Sequence, residues 1–195
     1  EMRALRAWIF DLDGTLTLAQ HDFPAIRRQL GIPAESDILA YLKTCAPAER
    51  QRLQDELDAI ERELAQQVAP APGAAELIRY LHAEGHQLGI LTRNLQQVAR
   101  DSLAVIGVLD CFAAEDILGR DEAEPKPGPG GILDLLARWQ QSPRNAVMLG
   151  DFRFDLEAGR AAGCHTCLIH PDNNWPALTD WHMPDCFSLL RFLRQ

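Results

Sequence analysis

What this 195-residue chain has little of narrows its reading first. No apolar run approaches the roughly 18 residues that a membrane-spanning helix needs, so a membrane is not an expected partner. Positive charge is scarce: 19 Lys and Arg stand against 28 Asp and Glu, for a net charge of −9. Phosphate backbones are gripped by clustered Lys and Arg, so nucleic acid is not an expected partner either. The same acidity would draw a divalent cation to any local group of carboxylates. Cysteine is sparse, with five scattered residues. An odd, scattered set suits reduced thiols in a cytoplasm better than a disulfide framework. Cys164-His165-Thr166-Cys167 has Cys-x-x-Cys spacing, but no second Cys/His pair stands at zinc-ribbon distance. It reads as small buried residues entering a strand. The chain has no internal repeat and no low-complexity tract. The opening Glu1-Met2-Arg3-Ala4-Leu5-Arg6 is not expected to act as a signal peptide, and the expected location is cytoplasmic. Its length suffices for one sizeable domain with a small insert.

What is present is organised around Trp8-Ile9-Phe10-Asp11-Leu12-Asp13-Gly14-Thr15-Leu16-Thr17. Trp8 to Phe10 reads as a short buried strand delivering Asp11 and Asp13 into a turn that Gly14 relaxes. In a strand the two acids point the same way. Like charges so close raise one proton affinity unless a cation lies between them. The pattern suits a divalent metal, or a nucleophilic carboxylate beside an acid/base, more than a plain acidic turn. Three later stretches add matching groups. Gly89 to Asn94 is an apolar strand ending in Thr92, Arg93 and Asn94. Glu124-Pro125-Lys126-Pro127-Gly128 holds a lysine in a stiff loop. Val147 to Asp155 is a strand ending in Asp151, with Asp155 four residues on.

Between the first motif and residue 72 the chain reads as helical. A helix is expected over Phe23–Leu30, and a second is capped by Ser36. A third starts at Pro47, with Leu53, Leu57, Ile60, Leu64 and Val68 as its apolar stripe. Its charged residues, Glu61 among them, read as the solvent face. Pro70-Ala71-Pro72-Gly73 reads as a hinge. Helices and strands then alternate: strands at 86–92, 111–114, 146–150 and 166–169, helices at 74–84, 96–106, 131–139, 155–162 and 187–193. Alternation builds a parallel sheet with helices on both faces. The expected fold is therefore α/β, with a Rossmann-like core over 1–16 and 73–195. Residues 17–72 would form a small all-helical cap inserted after the first strand. In such sheets ligands sit beyond the carboxyl ends of the strands, where Asp11, Thr92 and Asp151 all lie. Lysine and a metal near several acids suit phosphoryl transfer, where a dianion must be neutralised before an anionic nucleophile approaches.

Asp-x-Asp, Thr, Lys, then Asp with a second Asp, in that order, resembles the haloacid dehalogenase superfamily over nearly the whole chain. The resemblance implies a Mg²⁺-dependent phosphatase acting on a small phosphorylated metabolite through an aspartyl-phosphate, similar to phosphoglycolate phosphatase-like members. It implies that Asp11 is the nucleophile and Asp13 the acid/base. Thr92, Arg93, Asn94 and Lys126 would bind substrate, with Thr92 and Lys126 also serving catalysis. Asp11, Asp13 through its backbone carbonyl, Asp151 and Asp155 would form the metal site. Asp155 either holds a metal-bound water or orients Lys126; it also reads as an ordinary acid at a helix start. Gly150 reads as a tight turn beside the metal. Dehalogenase and phosphonate-cleaving members lack an acid at the position of Asp13. Lys43, the single lysine of residues 17–72, reads as surface. A sugar phosphomutase, a non-catalytic phospho-ligand-binding member and a receiver-like signalling domain stand as alternatives. Receiver domains, however, place their acid pair before the phosphorylated Asp. His21, Arg27, Arg28, Arg93 and Arg153 are candidate substrate selectors. Oligomeric state is left open.

Overall fold

The structure, a computed structural model, describes residues 1–195. Six strands form one parallel sheet: β1 (Ala7–Phe10), β2 (Gln87–Leu91), β3 (Ile117–Leu118), β4 (Ala146–Gly150), β5 (His165–Ile169) and β6 (Trp181–Met183). Their order is β3-β2-β1-β4-β5-β6. The chain leaves β1 toward β2 on one side and later returns to place β4 on the other, so β1 lies at the switch in winding direction.

The period of two along each strand assigns the layers. Trp8 and Phe10 pack with Leu77, Leu103 and Leu189. Those side chains come from α4 (Ala74–Ala83), α5 (Gln96–Val105) and α8 (Cys186–Arg194). Ala7 and Ile9 face the opposite way, onto Leu135 and Ala158. These belong to α6 (Gly130–Trp139) and α7 (Arg153–Ala161). Trp8, Ile9 and Phe10 are fully buried, each contributing roughly 1.5–3 kcal/mol of apolar burial. That is why β1 reads as an unbroken apolar run: a central parallel strand has no solvent face.

Residues 17–72 carry α1 (Phe23–Leu30), α2 (Ile38–Thr44) and α3 (Pro47–Ala65). They have a small core of their own, in which Ile26, Leu30, Leu42, Leu53 and Leu57 meet. The chain enters and leaves this segment side by side: Leu18 N donates to Ala69 O at 3.0 Å and Ala71 N to Leu16 O at 2.9 Å.

Four expectations change. Residues 111–114 are not a strand; two 3-10 turns, Leu109–Cys111 and Ala114–Asp116, precede the two-residue β3. Cys111 and Phe112 are buried from a turn, and so short an apolar run has no period to betray it. The edge strand β6 was not anticipated: it alternates, with Trp181 and Met183 half-buried about exposed His182, but over only three residues. The cap of α2 is Asp37, not Ser36: its Oδ2 accepts from Ala40 N at 3.0 Å. Helix α3 ends at Ala65, so Val68 lies beyond it. On the supposed solvent face of α3, Glu61 is 7% exposed.

Candidate active site

Register brings the site together. Phe10 pairs with Ile90 of β2 and with Leu149 of β4. The residues that follow, Asp11, Thr92 and Asp151, therefore leave the same edge of the sheet. Lys126, from the loop ahead of α6, reaches this edge with its side chain 2% exposed. Its Nζ donates to Asp11 Oδ1 at 2.9 Å, Asp155 Oδ1 at 2.7 Å and Leu91 O at 2.7 Å. Three directed acceptors satisfy an ammonium completely. Burial alone would lower its proton affinity, but Asp11 and Asp155 outweigh that and raise it, so it stays charged.

Carboxylate oxygens of Asp11, Asp151 and Asp155 lie within 4.8 Å of one another. Burial, then the charges of Asp11 and Asp155, push Asp151 up to about 9. Burial and Asp11 push Asp155 up to about 6 against the pull of Lys126. The cluster thus concentrates more negative charge than one lysine balances. A hard divalent cation fits this all-oxygen donor set. Asp13 stands outside the cluster. Its carboxylate faces Asn94, whose Nδ2 donates to Asp13 Oδ2 at 3.5 Å. Burial raises its pKa; His21 lowers it and Asp11 raises it. The two motif acids therefore serve different surroundings, although a continuous strand would have aimed them alike. The chain has already left β1 at Asp11, and Gly14 takes φ +85°. A Cβ on Gly14 would come within 2.7 Å of Asp151 Oδ2.

Asp155 combines two of the roles weighed for it. One oxygen holds Lys126, and the other accepts from Phe152 N at 3.1 Å at the start of α7. Gly150 is not a turn but the last residue of β4. A side chain there would put Cβ 2.1 Å from Asp155 Oδ2, so its bareness makes room for that carboxylate. Thr92, 2% exposed, has its hydroxyl oxygen on Asn94 N at 3.1 Å. Arg93 donates to Asp37 Oδ2 at 2.6 Å, an ion pair joining the core to α2. Burial opposes the shift, but Arg93 lowers the Asp37 carboxyl below its usual range.

A cavity of about 610 Å³ opens over this edge. The 17–72 segment lines it with His21, Phe23, Arg27 and Asp37, among others, and the core with the acids, Lys126 and Phe152 to Phe154. Of the candidate selectors, His21, Arg27, Arg93 and Arg153 line it, whereas Arg28 is exposed elsewhere; Lys43, read as surface, is exposed.

Two features were missed from the sequence. The Thr15 hydroxyl donates to Asp151 Oδ1 at 2.8 Å and lies 3.4 Å from Asp11 Oδ2, steadying the cluster. Arg120 is a buried brace: Nη1 meets Glu61 Oε2 at 2.8 Å and Arg93 O at 3.3 Å, and Nη2 meets Asp58. It ties α3 to the loop carrying Thr92 and Asn94. Nothing local signals a pairing across 59 residues. Cys164 and Cys167 are free, buried thiols, and Cys167 lies within β5.

Comparison with known proteins gives the family and the fold. Residues 25–169 match the family model described as haloacid dehalogenase-like hydrolase. A haloacid dehalogenase-like hydrolase domain-containing protein of Arabidopsis thaliana is 32% identical, over 95% of this chain and 76% of the relative. A phosphoglycolate phosphatase of Escherichia coli O157:H7 is 26% identical, over 89% of this chain and 67% of the relative. The crystal structure of a hydrolase from Pseudomonas syringae superposes with a TM-score of 0.80, covering 97% of this chain and 98% of the other at 21% identity.

Proposed function

The chain belongs to the haloacid dehalogenase-like hydrolases, and from that premise we propose that it is a Mg²⁺-dependent phosphatase of small phosphomonoesters. The observation that carries the reading is Lys126, buried and bonded to Asp11 and Asp155, beside three converging carboxylates. Such a site tolerates a dianion only if cations meet it. Asp11 attacks phosphorus, and the bond from phosphorus to the ester oxygen breaks. Asp13, whose burial favours its protonated form, gives its proton to the leaving alcohol. The resulting aspartyl-phosphate then meets a water. Asp13 takes a proton from that water as it attacks phosphorus, and phosphate leaves with Asp11 restored. Lys126 neutralises the phosphoryl oxygens, Thr92 donates to one of them, and Arg93 and Asn94 flank them. Asp11, Asp151 and Asp155, with the backbone carbonyl of Asp13, would hold Mg²⁺. The ion supplies charge neutralisation for phosphate and nucleophile.

Residues 17–72 act in this reading as a cap over a core of 1–16 and 73–195. Their own apolar cluster and the hydrogen-bonded entry and exit of the chain support it. The cap excludes water and limits which alcohol fits. The expected working place is the cytoplasm. Turnover of p-nitrophenyl phosphate with and without Mg²⁺ tests the proposal. A clean preparation inert under both conditions would point instead to a binding member of the family.

A further inference from the structure

Two phenylalanines stand half in solvent beside the site: Phe23, the first residue of α1, is 49% exposed, and Phe152, just ahead of α7, is 47% exposed. One exposed ring is ordinary on any surface. These two line the cavity that holds Asp11 and Lys126, one from the inserted segment and one from the core. Each is braced by neighbouring rings. Phe23 stacks on His21 at 5.1 Å with 17° between planes. Phe152 stands edge to face against Phe154 at 5.2 Å and against Trp175 at 5.4 Å. Phe154 in turn lies under the Arg93 guanidinium at 4.8 Å. A ring fixed in this way loses little further freedom when a ligand covers it, so its free face is a prepared platform.

Polar groups set beside the platforms add a second requirement. Arg27 and Arg93 both line the same cavity, and each guanidinium carries N–H donors. A plain hydrocarbon would cover the rings but leave these donors unmet.

We propose that the cavity takes a phosphomonoester whose alcohol carries a flat, unsaturated ring with hydrogen-bond acceptors. The ring lies against Phe23 and Phe152, and its acceptors turn toward Arg27 and Arg93. The proposal rests on the phosphatase reading and names the substrate class that reading left open. The volume of about 610 Å³ falls within the roughly 300–1,000 Å³ of sites that enclose a ring-bearing ligand.

The test uses the full chain with Mg²⁺ and four esters: pyridylmethyl, benzyl and cyclohexylmethyl phosphate, and phosphoglycolate. The first three leave as primary alcohols on a six-membered ring, so their kcat/KM ratios report recognition rather than leaving-group chemistry. Pyridylmethyl and benzyl phosphate should exceed cyclohexylmethyl phosphate by about ten-fold, the scale of one well-made aromatic contact. Phe23→Leu and Phe152→Leu should each move that ratio toward one, through KM. Arg27→Met should erase the advantage of pyridylmethyl over benzyl. Equal kcat/KM for flat and saturated rings in the wild type, or phosphoglycolate preferred over every ring ester, would overturn the proposal and leave the phosphatase reading standing. No turnover of any ester would overturn both.

Discussion

Glu61→Gln should make the protein more stable at pH 8 and leave it unchanged near pH 4.5. Glu61 is pushed up to about 7 from an ordinary 4.5, burial outweighing its attraction to Arg120. One guanidinium serves two carboxylates here, since Arg120 also pairs with Asp58. The native state therefore binds the Glu61 proton more tightly than the unfolded chain does. By linkage, stability falls as pH rises from about 4.5 to about 7 and is flat above that window. A gap of about 2.5 pH units, at about 1.4 kcal/mol each, amounts to roughly 3–4 kcal/mol. Glutamine stays neutral throughout and escapes that loss, while its carbonyl still accepts from Arg120 Nη1. Arg120 is not stranded, because Asp58 remains its charged partner; the usual penalty for breaking a buried pair is thereby avoided. At this chain length the difference corresponds to roughly 6–16 °C in Tm. Thermal melts followed by circular dichroism from pH 4.5 to 8 measure it, with metal absent from both proteins. Other acids titrate in both proteins and cancel in the difference curve. A Glu61→Gln protein less stable than wild type at pH 8, or a difference that does not change with pH, would refute the reasoning.

Three further outcomes bear on the site. Asp11→Asn keeps the side chain's shape but supplies a poor nucleophile and a poor ligand, so phosphatase turnover should fall at least about a thousand-fold with an unchanged far-UV spectrum; near-wild-type rates would remove the covalent route. Chelation with EDTA should abolish turnover and Mg²⁺ should restore it, while Ca²⁺, with its larger and looser shell, should inhibit; Asp151→Ala should then raise the Mg²⁺ requirement more than KM. Replacing residues 20–68 by a short Gly/Ser linker should leave a folded core, because Leu18 and Ala69 are already hydrogen-bonded neighbours. Slow Mg²⁺-dependent hydrolysis of a small aryl phosphate should survive with selectivity lost. A folded, metal-binding core without residual activity would place an essential group in the insert, with His21 the first to examine.

Local chemistry was enough for much of this. Trp8 to Phe10 is apolar without alternation because β1 is covered on both faces, and that shows in three letters. The alternation of helix and strand after Gly73 implies a parallel sheet, and the sheet implies which strand ends meet. Asp11, Thr92, Lys126 and Asp151 could be placed together for that reason: each sits at a strand end or on a punctuated loop, and Asp155 lies in the first turn of the helix that follows Asp151.

Tertiary structure decided what depends on partners distant in sequence. Glu61 looked like one more charge on a solvated helix face; only the approach of Arg120 buries it. Gly150 looked like a turn, yet its lack of a side chain matters because Asp155 folds back over β4. Asp11 and Asp13 lie two residues apart but point into different surroundings, because the chain leaves the strand between Phe10 and Gly14. Phe23 and Phe152 carry no shared pattern and meet in one cavity only when the insert closes over the sheet edge. A sequence records which groups are available and the period of the local backbone. Which charge is desolvated, which carboxylate faces which cation, and which rings share a wall depend on distances set by packing, and packing joins residues that no local rule relates.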